Sequence, residues 1–233
     1  MVRQESAAPE VLSGAAALSF ARWVAIYGPT YVTGLGWTAV TALGAAIGAI
    51  VWGCVLLLLR VAGPGWPARA VDAYVQLFRN TPVLLPIYVI YFGFPLIGLP
   101  WPAVICGGLA LVLQNGAYVS EILRGGLKAV DRVQFDAARS LGLTPWNTFR
   151  KILLPQVLVY SIPSLGNQVV LLLKDTSLLS AISVTELTMQ AKLLTEQTGA
   201  AYEAFIVVAL LYLLLVSTTE VLFRATHRAV RWR

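Results

Sequence analysis

Side chains able to do chemistry are sparse in this 233-residue chain, and most of them lie inside apolar sequence. The densest group is Lys174-Asp175-Thr176-Ser177, two opposite charges and two hydroxyls at the end of an uncharged run, 152–173. An ionisable group inside a bilayer is costly against lipid, so these side chains face the bundle interior, one another or water. Two arrangements fit: polar contacts along a path for a small solute, or a self-neutralising Lys–Asp pair that only fixes helix packing. The path is favoured because ionisable groups at that depth usually serve function, although adjacent residues point to different helix faces. Asn167 and Gln168, two turns earlier, could hydrogen-bond an amino or carboxylate group, or a neighbouring helix, with Asn167 the stronger candidate. Glu121 and Arg124 are spaced to pair across one helical turn, as a brace rather than a ligand site.

Other chemistries find no footing. There is no GxxxxGK[ST], so no P-loop for ATP. The one histidine, His227, sits in a basic tail among expected headgroups, which argues against serine–histidine catalysis in the membrane. Cys54 and Cys106 both lie in apolar runs without CxxC spacing and read as packed or lipid-facing residues, not a disulfide or metal pair. The start, MVRQESAAPE, lacks the basic and apolar regions of a removable signal peptide.

The elements that must hold these residues follow from composition. The chain is 58% hydrophobic and 12% charged, with mean hydropathy +0.75, so a bilayer is its expected solvent. The net charge of +6 is spread between apolar runs rather than gathered in a nucleic-acid patch. Residues 1–30 read as a loose arm followed by an interfacial segment, Phe20 to Tyr31, stopped by Gly28-Pro29. Gly34 to Leu59 is the first expected span; Gly44 and Gly48 stand at GxxxG spacing, best read as packing within the subunit. After the GPGWP turn (63–67) and an amphipathic stretch, Ala68 to Arg79, a short second span is expected near Pro82–Phe92, kinked at Pro86. A third runs near Trp101–Leu123, and a fourth starts near Pro163, which would put Lys174 roughly 16 Å in, at the bilayer middle. A loop or short helix passes Lys192 and Glu196, and the fifth span covers Tyr202 to Phe223.

Between the third and fourth spans lies a polar island, Asp131 to Pro155. Asp131 with Gln134 forms a capping-box-like start, Gly142 offers a left-handed stop, and Thr144-Pro145 opens a second helix. The tracts Arg60–Arg79, Arg124–Lys151 and Arg224–Arg233 hold 13 of the 17 Lys and Arg, while 93–102 holds none. With five spans these tracts share one face, which the positive-inside bias makes cytoplasmic, leaving the N-terminus outside and the C-terminus inside.

Asp136-Ala137-Ala138, then Gly142, Ile152 and Leu154-Pro155, resembles the EAA loop of permease subunits of bacterial ABC importers, with Asp136 in place of the usual glutamate. Tyr74 to Pro82, Ala117 to Gly126, and Gly166 to Leu178 resemble the polar-amino-acid permeases of that group. Two positions depart from the pattern: Val133 replaces a common glycine, and Pro86 a polar residue.

The resemblance implies an all-α membrane protein of five transmembrane helices with a cytoplasmic coupling helix, multi-pass in the bacterial inner membrane. Its domain would span 31–225, with the coupling loop at 124–157 and a basic tail at 226–233. It implies two ABC ATPase subunits that use ATP and Mg, since this chain binds no cofactor itself. It implies also a second permease subunit (identical or paralogous), an extracytoplasmic solute-binding protein, and a polar amino-acid-like substrate. Phe135, Asp136, Ala137, Ala138, Leu141 and Gly142 would contact the ATPase; Asn167, Gln168, Lys174, Asp175, Thr176 and Ser177 would line the substrate path. A gradient-driven secondary transporter, with Lys174, Asp175 and Glu121 as coupling groups, is the alternative.

Overall fold

The computed structural model describes residues 20–61 and 65–231, and every regular element within them is helical. In chain order these are α1 (Phe20–Val61), α2 (Trp66–Arg79), α3 (Leu84–Gly93), α4 (Ala103–Ala129), α5 (Arg132–Ser140), α6 (Pro145–Thr148), α7 (Leu154–Asp175), α8 (Leu187–Thr198) and α9 (Ala201–Arg231). Short 3-10 turns cover Phe94–Ile97 and Thr176–Ile182, and a π turn covers Phe149–Leu153. The expected N-terminal arm and part of the GPGWP turn lie outside the described residues.

Four stretches are long and apolar enough to cross a membrane: α1, α4, the segment 145–182 that contains α7, and α9. A fifth span is broken. The helices α2 and α3 meet at 104°, and only together do they pass as a crossing. The break precedes the expected kink at Pro86, which falls in the first turn of α3, where a missing N–H leaves no gap in the ladder.

Three boundaries differ from the sequence expectation, two of them for one physical reason. Gly28-Pro29 does not end a helix; α1 runs through it for 42 residues. An interior proline costs about 3 kcal/mol, but Trp23, Tyr27 and Tyr31 recur every four residues and pack on α8 and the start of α9. Trp23 Nε1 donates to the Tyr31 hydroxyl (3.3 Å), which donates to the Ala204 carbonyl (3.2 Å). Likewise α7 begins at Leu154 and passes through Pro163, because its buried Val157, Ser161 and Gly166 are already committed to neighbours. At the other end α9 continues past Phe223 into the basic tail. At both prolines burial outweighs a local stop signal.

α4 is the hub, with α1, α2, α3 and α7 packed on it. Ala42, Ala45, Ala46 and Ala49 of α1 enter the core beside Cys106, Leu111, Val119 and Leu123 of α4. The helices meet at bare backbone: a Cβ on Gly48 would lie 2.6 Å from Val112, one on Gly53 2.5 Å from Val119, and one on Gly116 2.5 Å from Trp52. Gly44 meets nothing, so Gly48 serves packing inside the subunit without its GxxxG companion. Both cysteines are free, Cys106 buried and Cys54 half-buried.

Candidate functional site

The polar island folds as its residues dictate. Asp131 caps α5 by accepting from the Val133 N–H at 3.0 Å, although the reciprocal Gln134 side-chain bond of a capping box is not formed. Gly142 holds φ +67°, the left-handed conformation that ends the helix. Thr144 accepts from the Asn147 N–H at 3.3 Å, and Pro145 takes the first position of α6. The second helix is no separate piece: α6 passes through the π turn directly into α7. What results is a capped corner joined to α4 at one end and α7 at the other.

Its surface is unusual for a polar loop. Val133, Phe135, Leu141 and Trp146 are exposed, Leu141 by 76% and Trp146 by 62%, and Asp136, Ala137 and Gly142 are exposed beside them. Such an apolar patch on a polar element marks a contact surface. Ala138 departs from the expected set. It is 1% exposed and turns into the chain, so it seats the corner instead of touching a partner. Trp146 was not singled out by the motif, though an aromatic just inside a proline-started helix is a readable signal.

Beneath the corner, Glu121 of α4 gathers three arginines. Arg124 Nη2 and Arg60 Nη1 each stand 2.5 Å from its oxygens, and Arg79 Nη1 stands at 3.6 Å; Arg60 also pairs with Asp72. Arg79 lies over the Tyr118 ring at 5.6 Å. The expected Glu121–Arg124 brace is present, and it extends to α1 and α2. The break between α2 and α3 is tied to α4 as well: Gln114 Nε2 donates to the Thr81 carbonyl (2.8 Å) and Tyr74 Oη to the Leu113 carbonyl (2.7 Å).

The polar residues of α7 separate into two faces. Gln168 is buried, and its Nε2 donates to Asn115 Oδ1 of α4 at 2.7 Å. Asn167, the stronger candidate by sequence, is exposed on the side facing α9. Asn115 escaped the sequence reading because the adjacent amides Gln114-Asn115 carry no spacing signal that names their partners.

Lys174 and Asp175 do not form the self-neutralising pair. Among the described residues neither has an ion-pair partner. Thr176 and Ser177 turn their hydroxyls back onto the carbonyls of Leu173 and Lys174, at 2.7 and 2.8 Å. Lys174 is exposed, beside an opening of about 400 Å³ that it shares with Ser177, Tyr212, Leu213 and Val216. Its depth is best counted on α9: Tyr212 is 11 residues past Ala201, about 16 Å at 1.5 Å per residue, and so near the middle of a bilayer. Counting from Pro163 gives a similar depth from the wrong helix start.

Behind this opening lies Glu186, missed by sequence and fully buried. It caps α8 by accepting from the Thr188 and Met189 N–H groups at 2.9 and 2.8 Å, and it accepts from the Tyr212 hydroxyl at 2.9 Å.

Residues 49–232 match the family described as binding-protein-dependent transport system inner membrane component. A probable amino-acid ABC transporter permease protein, y4tG of Sinorhizobium fredii, is 35% identical over 196 residues, covering 84% of this chain and 85% of that protein. The probable glutamine ABC transporter permease protein GlnM of Bacillus subtilis is 35% identical over 185 residues, 79% of this chain and 86% of its own length. Among solved structures, an amino acid ABC transporter crystallised with histidines superposes with TM-score 0.84 at 30% identity, covering 89% of this chain and 97% of that one. An inward-facing MetNI methionine ABC transporter shares the fold, with TM-score 0.76 at 21% identity over 88% of this chain and 98% of that one. Permeases of this kind hydrolyse no ATP themselves and work with separate ATPase and binding-protein subunits. The helices crossing at α4, the capped corner and these likenesses converge: the chain belongs to the family of binding-protein-dependent inner membrane transport components, as the permease subunit of an ABC importer.

Proposed function

We propose that the chain carries a polar amino acid or a closely related solute across a bacterial inner membrane. It does so as one of two permease subunits, above two ATPase subunits that use ATP and Mg, and beneath an extracytoplasmic binding protein. The observation that carries this is the corner itself: exposed apolar side chains at Val133, Phe135, Leu141 and Trp146 on a loop capped at Asp131, Gly142 and Thr144. Phe135, Leu141 and Trp146 enter a groove on the ATPase, Asp136 and Ala137 lie at its edge, and Ala138 and Gly142 hold the shape. With 13 of 17 basic residues on the corner's side, that side is cytoplasmic, and the N-terminus is external.

The solute class rests on the amino-acid permeases among the relatives and on the polar residues of α7. Lys174 and Asp175 lie near mid-depth with no ion-pair partner among the described residues, which lipid would penalise. A second permease subunit or a water-filled path therefore covers them. Gln168 and Asn115 supply amide groups one step deeper. ATP-driven closure of the ATPase pair moves the two corners together and rocks the bundles between inward- and outward-facing states, which the nucleotide binds unequally.

The test is uptake into proteoliposomes that hold the assembled importer, with labelled amino acids and binding protein outside. Uptake is expected only with ATP on the corner's side. Uptake that persists on an ion gradient with ATP omitted overturns the reading.

A further inference from the structure

A recess of about 270 Å³ between α7 and α9 holds a set of ionisable side chains that the transport path does not use. Its polar rim is Asn167, Glu220, Arg224 and His227, and its floor is Val170 and Phe223. Glu220 and Arg224 pair across one turn at 3.0 Å, so a carboxylate and a guanidinium sit side by side. Glu220, Arg224 and His227 share one face of α9, spaced by four and three residues.

Depth identifies the ligand. Tyr202 to Phe223 spans 21 steps, about 32 Å, which matches the apolar thickness of a bilayer. The recess therefore straddles the line where acyl chains give way to headgroups, whereas the Lys174 opening lies about 16 Å away along the helix, at mid-depth. At that line a ligand with an oxyanion beside an ammonium finds Arg224 and His227 for the one, Glu220 and Asn167 for the other, and an apolar floor for the tail.

We propose that this recess binds the headgroup of a phospholipid that carries a primary ammonium next to its phosphate. The inference rests on the membrane placement given under Proposed function. A free zwitterionic solute has the same charge pattern, and the experiment separates the two sources.

The assembled importer is purified from bilayers with equal parts phosphatidylethanolamine and phosphatidylglycerol, and retained lipids are counted by native mass spectrometry. The wild type retains the ethanolamine lipid in preference by about tenfold, the worth of one charge-assisted hydrogen bond. Glu220→Gln erases the preference, and Arg224→Gln lowers retention of both lipids by a similar factor. Co-purification of each variant with the ATPase confirms that it is folded. Equal retention of the two lipids by the wild type overturns the proposal, as does a preference that survives Glu220→Gln. Displacement of the lipid by free amino acid assigns the recess to the solute and overturns it also. A wild type without lipid preference but with ATP-driven uptake intact sinks this inference alone, and the reverse pattern sinks only the transport reading.

Discussion

Replacing Gly142 separates backbone shape from surface contact at the corner. Its φ of +67° is left-handed, and a Cβ built there meets nothing within 4 Å. An alanine therefore introduces no clash inside the chain; its cost is backbone strain alone, about 1–2 kcal/mol. If the strain is relieved only when the corner leaves its docking geometry, the same energy appears as a 5- to 30-fold weaker hold on the ATPase, at roughly 1.4 kcal/mol per decade. Asparagine is bulkier than alanine but tolerates the left-handed region, so Gly142→Asn recovers most of the loss. Binding of the ATPase to detergent-solubilised permease gives the affinities directly, and hydrogen exchange over 132–142 reports whether the corner has loosened. Should Asn prove worse than Ala, the injury comes from side-chain bulk in the partner's groove, and the backbone argument fails.

Three other substitutions probe the rest. Glu121→Gln leaves Arg60, Arg79 and Arg124 without their shared carboxylate, and losing charge-assisted bonds in a half-buried cluster costs about 2 kcal/mol. Thermal unfolding of the solubilised subunit should show a clear drop, and an unchanged midpoint would mean the cluster is idle. Gly126→Ala places a methyl 2.3 Å from Ser161 Oγ and 3.0 Å from the Val157 carbonyl, for a loss of about 2 kcal/mol. Ser161→Ala removes a buried hydroxyl that has no hydrogen-bond partner, so it is nearly neutral alone and rescues much of the first change; strict additivity of the two would refute the contact. Asp175→Asn should cut uptake about tenfold, the scale of one charged contact, with assembly intact. Normal uptake would return Asp175 to a packing role.

What the residues reveal by themselves is whatever is settled within a turn or two. Asp131, Gly142 and Thr144-Pro145 fix the corner because capping and left-handed φ are local, and the structure has each in its expected place except the Gln134 half of the box. Helix continuity through Pro29 and Pro163 was illegible because it is settled at a distance, by Trp23 and Tyr31 on α8 and α9 and by Val157 and Ser161 near α4. The same limit explains the amides. Nothing in the string Gly166-Asn167-Gln168 tells which side chain finds Asn115, since a 100° rotation about α7 exchanges them. Glu186 was missed for a related reason: its cap on α8 is local, but its burial and its bond to Tyr212, 26 residues on, are not.

The bare-backbone contacts between α1 and α4 have a mechanical consequence. Val112, Val119 and Trp52 each occupy a notch that only a glycine leaves open, so an axial slide of one helix along the other would drive bulk into bulk. Shear between these two helices is therefore forbidden, and they must tilt as a single plate.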